Sequence, residues 1–132
     1  MIALDTSAIL AIVSEEPEAK IFAKIIAETD CVIGAPTCLE ALIVVRGRAN
    51  PAQLQQLQNI LANKNVVTVG FGPEHVATAE AAFERFGKGM QHPARLNFGD
   101  CMAYAVARMA QAPLLFKGDD FTRTDVASAI PS

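Results

Sequence analysis

Several acidic residues of this chain stand beside apolar segments, where a purely structural role is hard to assign. Asp5 follows the stretch Met-Ile-Ala-Leu, Glu40 lies in Leu-Glu-Ala-Leu-Ile-Val-Val, and Asp100 opens Asp-Cys-Met-Ala-Tyr-Ala-Val-Ala. Asp119 and Asp120 come shortly after Pro-Leu-Leu-Phe. Removing a carboxylate from water is costly unless a partner compensates its charge, and no matching set of Lys or Arg residues adjoins these acids. The set therefore predicts that a bound cation completes a site.

The chemistry that uses several carboxylates without histidine or cysteine ligands is the binding of Mg²⁺ or Mn²⁺. These hard cations take oxygen ligands, and Mg²⁺ keeps several of its waters. One or two such ions can activate water, neutralise a phosphate and stabilise a leaving oxyanion during phosphoryl transfer. Zinc is disfavoured, because neither the histidines nor the cysteines have the spacing of a zinc site.

Composition indicates a single globular domain that spans residues 1–132, with 52% apolar and 19% charged residues. The net charge of −3 gives no general signature of nucleic-acid binding, so any such contact must come from a local patch. No apolar run is long enough to cross a bilayer, and the N-terminus lacks the features of a signal peptide. The three cysteines form no C-x-x-C pair and read as buried, reduced thiols, which favours a cytoplasmic protein.

The elements that must position the acids follow from hydrophobic periodicity and from proline and asparagine signals. Strands are predicted over residues 2–4, 31–35, 66–69 and 114–116. Helices are predicted over residues 7–13, 17–28, 36–49, 51–63, 73–86 and 98–111. Apolar strands that alternate with helices favour an α/β fold with a parallel sheet covered on both faces. Functional groups in such sheets gather beyond the carboxyl ends of the strands, so we expect the acids to converge on one edge.

Each acid also has an ordinary structural explanation. Asp5 can cap the helix that follows it, and Asp100 can complement the dipole of its own helix from the first turn. Asp119 and Asp120 can belong to a turn, and Glu40 is simply exposed if its helix has been misplaced. The joint placement of these residues at strand ends is harder to explain in this way than any one of them.

Several segments together resemble PIN-domain proteins, and most of all the VapC toxins of bacterial toxin–antitoxin pairs. The most specific are Asn97-Phe98-Gly99-Asp100-Cys101 and Lys117-Gly118-Asp119-Asp120-Phe121, supported by Leu4-Asp5-Thr6-Ser7-Ala8 and Leu39-Glu40. The resemblance covers nearly the whole chain. It implies a three-layer α/β/α sandwich with a central, mostly parallel sheet, and a Mg²⁺-dependent ribonuclease, with Mn²⁺ as a substitute ion.

By motif, Asp5, Glu40 and Asp100 match the first three acids of the family. Asp5 and Asp100 resemble direct metal ligands, and Glu40 resembles a ligand or a residue that orients a water at the metal. Many family members place the fourth acid where Gly118 stands here. Asp119 or Asp120 can substitute for it, and Asp125 is a weaker candidate.

The resemblance also implies RNA contacts and protein partners. Thr6 or Ser7 would bind a water or phosphate near the site, and Arg95 and Lys117 flank the acidic segments and can hold RNA phosphates. The expected partners are a small VapB-like antitoxin and a second copy of the chain, in a homodimer and in toxin–antitoxin assemblies without a membrane.

Two other functions compete with this interpretation. One is a module with the same fold that binds RNA without cutting it, although the full set of acids argues against it. The other is an aspartate-based phosphatase or phospho-receiver, and the phosphatase would need an aspartate where Ser7 stands. His75 and His92 lie outside the acidic segments and are interpreted as surface residues rather than general bases.

Overall fold

The computed structural model describes residues 1–130 of the chain, so the last two residues of the predicted domain lie outside it. Within residues 1–130, four short strands are separated along the sequence by three pairs of helices. The strands are β1 (Ile2–Leu4), β2 (Cys31–Gly34), β3 (Val66–Val69) and β4 (Leu114–Leu115). The helices are α1 (Thr6–Val13), α2 (Ala19–Glu28), α3 (Ala35–Gly47), α4 (Pro51–Ala62), α5 (Pro73–Phe86) and α6 (Phe98–Ala110).

The strands form one sheet in the order β3-β2-β1-β4, and every pair is parallel. Ala3 in β1 lies opposite Val32 on one side and Leu114 on the other. The first strand is therefore central, and the residue that follows it emerges in the middle of the carboxyl edge. The predicted, mostly parallel sheet is confirmed.

Two hydrophobic clusters cover the two faces of this sheet. Ile2 and Leu4 pack into a cluster with α1 to α4, whereas Ala3 between them packs into a cluster with α5 and α6. Successive strand side chains point to opposite faces, so a three-residue strand is enough to contribute to both cores. The three-layer α/β/α arrangement is confirmed, with helices on both faces.

Helix boundaries follow the local signals closely. Asn50 caps α4 by accepting a hydrogen bond from the Gln53 backbone N–H at 3.1 Å, as its place before Pro51 indicates. Helix α3 begins at Ala35, directly after β2, instead of one residue later. None of the helices within residues 1–130 is long and apolar enough to cross a membrane.

The sheet and α6 approach each other very closely at the end of β2. A Cβ atom at Gly34 would stand 2.7 Å from Cγ2 of Val106, which is closer than a side chain can approach. Helix α6 also packs on β1 and α3. These contacts bring the first turn of α6 near the carboxyl edge of the sheet.

Candidate active site

Asp5 lies at the centre of the carboxyl edge, directly after β1. Its backbone N–H donates to the carbonyl of Leu115 at 3.0 Å, which ties it to the end of β4. Its Oδ2 accepts the Ser7 backbone N–H at 3.0 Å and the Ser7 hydroxyl at 2.5 Å. Asp5 is thus the N-cap of α1, yet it is only 5% exposed, which is unusual for a capping carboxylate.

Asp100 is held in a similar way in the first turn of α6. Its Oδ2 accepts the Asn97 backbone N–H at 3.0 Å, and its own N–H donates to Oδ1 of Asn97 at 2.9 Å. This reciprocal capping box fixes the side chain, which is 9% exposed. In both aspartates the capping bonds end on Oδ2, so the capping role does not use Oδ1.

Glu40 projects from α3 and is half-buried. The Thr6 hydroxyl donates to its Oε1 at 2.5 Å, and the α6 backbone at Gly99 lies against its carboxylate. The neighbours of Glu40 one turn away on α3 are buried unequally, since Ile43 is 61% exposed whereas Thr37 is 1% exposed. Contacts from two other elements, α1 and α6, hold the carboxylate in place.

The electrostatics show that these carboxylates share one environment. Burial raises the pKa of Asp100 to about 6, and the charges of Asp5, Asp120 and Glu40 add to the increase against the hydrogen bond from Asn97. Burial also raises the pKa of Asp5, with Glu40 adding to it and the hydrogen bonds from Ser7 opposing it. Both aspartates therefore favour an added positive charge.

The described part of the chain does not supply that charge. Within residues 1–130, none of the ion pairs involves Asp5, Glu40 or Asp100. In the same range, no group of three or more Asp, Glu, His or Cys side chains is arranged so that it could hold a metal ion by itself. Mg²⁺ does not need such a cage, because it usually takes one or two carboxylates and keeps several waters. An all-oxygen donor set with mutually repelling carboxylates fits a hydrated Mg²⁺ ion.

Asp119 and Asp120 are both exposed in the segment after β4. The charge of Asp120 is among those that raise the pKa of Asp100. Gly118 has a φ of +98°, a conformation that side-chain-bearing residues rarely adopt. The backbone here therefore suits glycine at the position where many family members carry an acid.

Asp125 takes part in a different cluster. It accepts a hydrogen bond from the Tyr104 hydroxyl at 2.5 Å and pairs with Arg85 at 3.3 Å. It also lines a cleft with Arg108 and Gln111, toward the end of α6 that is opposite Asp100. Asp125 is not brought together with the other acids.

The residues expected to contact RNA occupy distinct surroundings. The hydroxyls of Thr6 and Ser7 are engaged with Glu40 and Asp5, and Ser7 Oγ also accepts the Lys117 backbone N–H at 2.9 Å. The Lys117 ammonium pairs with Glu16 and Glu18, which raises its pKa through the hydrogen bond and charge of Glu16. Arg95 is exposed, in the loop before α6.

Both histidines have local partners. Nδ1 of His75 accepts the Gly72 backbone N–H at 3.1 Å, and its ring stacks on Phe71. Nδ1 of His92 accepts the Ala94 backbone N–H at 3.0 Å, and its ring meets Phe86 edge-on. These contacts belong to the start of α5 and to the loop after it.

Three residues near the acids carried no role in the sequence analysis. Asn97 caps α6, Gly99 makes room for Glu40, and the buried Thr37 hydroxyl has no hydrogen-bond partner among the described residues. Asn97 was recognisable, because asparagine three residues before an acid is typical of a capping box. A glycine in the first turn of a helix can indicate that another group approaches the backbone closely, but it does not indicate which group.

The chain is similar in sequence to known proteins along nearly its entire length. The family model described as PIN domain matches residues 2–127. The chain is 41% identical to ribonuclease VapC36 of Mycobacterium tuberculosis, over 93% of this chain and 89% of that protein. It is 36% identical to ribonuclease VapC of Mycolicibacterium smegmatis, over 95% of this chain and 97% of the relative.

Solved structures with the same fold share far less sequence. One is Mycobacterium tuberculosis VapC20, described as a sarcin-ricin loop cleaving toxin, with a TM-score of 0.77 and 15% identity over 99% of this chain and 100% of that one. Another is a toxin–antitoxin complex from Klebsiella pneumoniae, with a TM-score of 0.70 and 17% identity over 95% and 93% of the two chains. These two structures show the fold, and the relatives with 36% to 41% sequence identity show the family. The chain belongs to the VapC ribonuclease family of PIN-domain proteins.

Proposed function

We propose that this protein is a Mg²⁺-dependent endoribonuclease and the toxin of a VapBC-type toxin–antitoxin pair. The observation that carries the proposal is the acidic edge, which we define as Asp5, Glu40 and Asp100. These carboxylates come from three different segments, and none of them has a cationic partner within residues 1–130. Family membership supplies the reaction class, since the relatives with 36% to 41% identity are named ribonucleases.

The roles within the acidic edge follow from which oxygens are already engaged. Asp5 and Asp100 would hold the ion through Oδ1, because their capping hydrogen bonds use Oδ2. Glu40, held by Thr6, would serve as a third ligand or orient the attacking water. A bound Mg²⁺ ion supplies charge that neutralises the scissile phosphate and lowers the pKa of a water molecule.

We propose Asp120 as the fourth acid. Its charge is among those that raise the pKa of Asp100, whereas Asp125 is engaged with Tyr104 and Arg85. An exposed carboxylate at the rim of a metal site can act through a water without touching the ion.

For RNA, we propose that Arg95 contacts phosphate from the loop before α6, because it is exposed and close in sequence to the Asp100 motif. Lys117 would contribute less, since Glu16 and Glu18 already neutralise much of its charge. The hydroxyls of Thr6 and Ser7 would support RNA binding indirectly, by holding Glu40 and Asp5 in place.

The proposed partners are a small antitoxin and a second copy of the chain. A toxin–antitoxin complex shares this fold, which makes an antitoxin the natural partner. Because no cationic side chain of residues 1–130 pairs with the acidic edge, a basic antitoxin side chain inserted there would compete with metal and RNA. We further propose that the chain acts as one domain, because the family model covers residues 2–127 and both cores share one sheet.

Cleavage of structured RNA by the purified protein tests the proposal. We expect products with Mg²⁺ or Mn²⁺, none after chelation, and none from Asp5→Asn in the presence of metal. Asp125→Asn is the matched control, because it removes one aspartate charge outside the acidic edge. RNA binding with no products under any metal condition would instead support a binding module, and full activity of Asp5→Asn would exclude the site assignment.

A further inference from the structure

The backbone of α6 touches the acidic edge at Gly99. A Cβ atom at this position would stand 2.6 Å from Oε2 of Glu40, and 3.2 Å from both Oε1 and the carboxyl carbon. The whole carboxylate of Glu40 therefore occupies the space that a side chain at Gly99 would fill. No other type of residue could stand here while Glu40 keeps its position.

We propose that Gly99 is a positioning residue, whose missing side chain lets the Glu40 carboxylate lie beside Asp100. This inference rests on the proposed function, because it assigns a purpose to the placement of Glu40. Gly99 directly precedes Asp100 in α6, so the contact fixes Glu40 relative to that aspartate. The charge of Glu40 is among those that raise the pKa of Asp100, in keeping with this proximity.

An added methyl group would move Glu40 rather than the helix. The start of α6 is fixed by the capping box between Asn97 and Asp100 and by the packing of buried residues in its next turn. Glu40 is half-buried and meets Gly99 with the far end of a flexible side chain. Its partner Thr6 can turn its hydroxyl to the carbonyl of Thr37, which lies 3.5 Å away.

The backbone itself does not require glycine at this position. Gly99 is the second residue of α6 and its φ is not in the left-handed region, so alanine can adopt the same conformation. Alanine is a much better helix former than glycine. Gly99→Ala should therefore keep or raise the stability of the protein while displacing a carboxylate of the acidic edge. That combination separates a positioning role from a structural one.

The matched control is Gly47→Ala in α3, the helix that carries Glu40. A Cβ atom at Gly47 would meet nothing within 4 Å, so the same substitution there leaves the Glu40 carboxylate undisturbed. Four variants are compared with the wild type: Gly99→Ala, Gly47→Ala, Glu40→Ala and the double variant Glu40→Ala/Gly99→Ala. Mn²⁺ affinity is measured by calorimetric titration, and Tm is measured without metal.

We expect Gly99→Ala to weaken Mn²⁺ binding by about 10-fold to 100-fold, as for residues that orient metal ligands, with a Tm equal to or above that of the wild type. Gly47→Ala should bind Mn²⁺ like the wild type. Because Gly99 acts through Glu40, the double variant should bind Mn²⁺ no more weakly than Glu40→Ala alone.

Four results would overturn the inference. Wild-type affinity in Gly99→Ala, together with weak binding in Glu40→Ala, would leave the proposed function intact and exclude positioning by Gly99. A further loss in the double variant, or a lower Tm for Gly99→Ala, would mean that the substitution acts by shifting α6. Wild-type affinity in Glu40→Ala would instead exclude a role of Glu40 in holding the metal, and with it the metal-site role of Gly99 through that residue.

Discussion

Aspartates near the two ends of α6 are in opposite electrostatic situations: Asp100 lies in the first turn of the helix, and Asp125, from the segment after β4, packs near the other end. At the start of the helix, burial and the charges of Asp5, Asp120 and Glu40 raise the pKa of Asp100 to about 6. Toward its other end, burial opposes the change, but the Tyr104 hydroxyl and the charges of Arg108 and Arg85 lower the pKa of Asp125. Within residues 1–130, the aspartate at one end thus has no cationic partner, whereas the aspartate at the other end pairs with Arg85 and accepts a hydrogen bond from Tyr104.

Two opposing effects act on the carboxylate of Asp100: the dipole of α6 stabilises its charge, whereas burial and neighbouring like charges destabilise it. The helix dipole favours an anion at the start of α6, by at most about 1 to 2 kcal/mol. The increase in the pKa of Asp100 corresponds to roughly 3 kcal/mol in the opposite direction. Burial and like charges therefore outweigh the dipole, and the start of α6 is arranged for a positive charge that the described residues do not provide. The cluster around Asp125 needs no such addition.

The largest expected effect is a difference in RNA cleavage between variants of Asp100 and variants of Asp125. Asp100→Asn should reduce RNA cleavage by at least about 100-fold, because it removes a proposed metal ligand, while its amide oxygen can still accept the Asn97 hydrogen bond. Asp125→Asn should cleave at the wild-type rate. Initial rates on one structured RNA at saturating Mg²⁺ would decide. Equal losses in both variants would remove the functional distinction between the two ends of α6.

Metal binding should appear as a gain in stability. At Mg²⁺ or Mn²⁺ concentrations near 100 times Kd, the free energy of unfolding should rise by about 2.7 kcal/mol. Asp125→Asn should show the same gain, and Asp100→Asn should show much less. Chemical denaturation with metal and with chelator measures the difference. If Asp100→Asn is stabilised as much as the wild type, the ion binds elsewhere.

The variant Tyr104→Phe tests the cluster around Asp125 without changing the acidic edge. The variant loses the hydrogen bond to Asp125, which should lower the free energy of unfolding by about 1 kcal/mol because Asp125 keeps Arg85 as a partner. Cleavage should be unchanged, since the hydroxyl does not contact the acidic edge. Denaturant titration gives the stability, and a drop in cleavage rate would show that the two ends are coupled.

The smallest effect is the pH dependence that Asp125 contributes. Its pKa is lower in the folded than in the unfolded protein, so its contribution is present above the unfolded pKa near 4 and is lost as the pH falls through the folded pKa. Because the side chain is 35% exposed, the contribution should be below about 1 kcal/mol. Asp125→Asn should lose correspondingly less stability between pH 5 and 2, measured by thermal unfolding without metal. An unchanged acid profile would contradict the assigned ion pairs.

The sequence predicted most of the fold, because the signals involved are local. Strand and helix bounds depend on hydrophobic periodicity and on caps such as Asn50, and these act within a few residues. The structural explanation considered for Asp5 also proved right, since Asp5 caps α1, and Asp100 lies in the first turn of α6 as expected, where it completes the capping box of Asn97. Their capping roles and their proposed metal roles are compatible, because the capping hydrogen bonds of each aspartate use a single oxygen.

Contacts between distant segments were not predictable in the same way. Nothing near Lys117 in the sequence indicates that its ammonium pairs with Glu16 and Glu18, and nothing near Asp119 separates it from Asp120. These outcomes depend on how the segment after β4 lies against α1 and α6. That arrangement is fixed by packing of the whole domain rather than by local preference.

The sequence by itself determined the alternation of strands and helices, the family, and the acids that stand beside core segments. Only the tertiary structure decided which acids share one environment, that Asp125 belongs to another cluster, and that Gly99 faces Glu40. The physical reason is that charge interactions and steric exclusion depend on distances in space. Side chains far apart in the chain come within a few ångströms only when the sheet and its two helical layers have assembled.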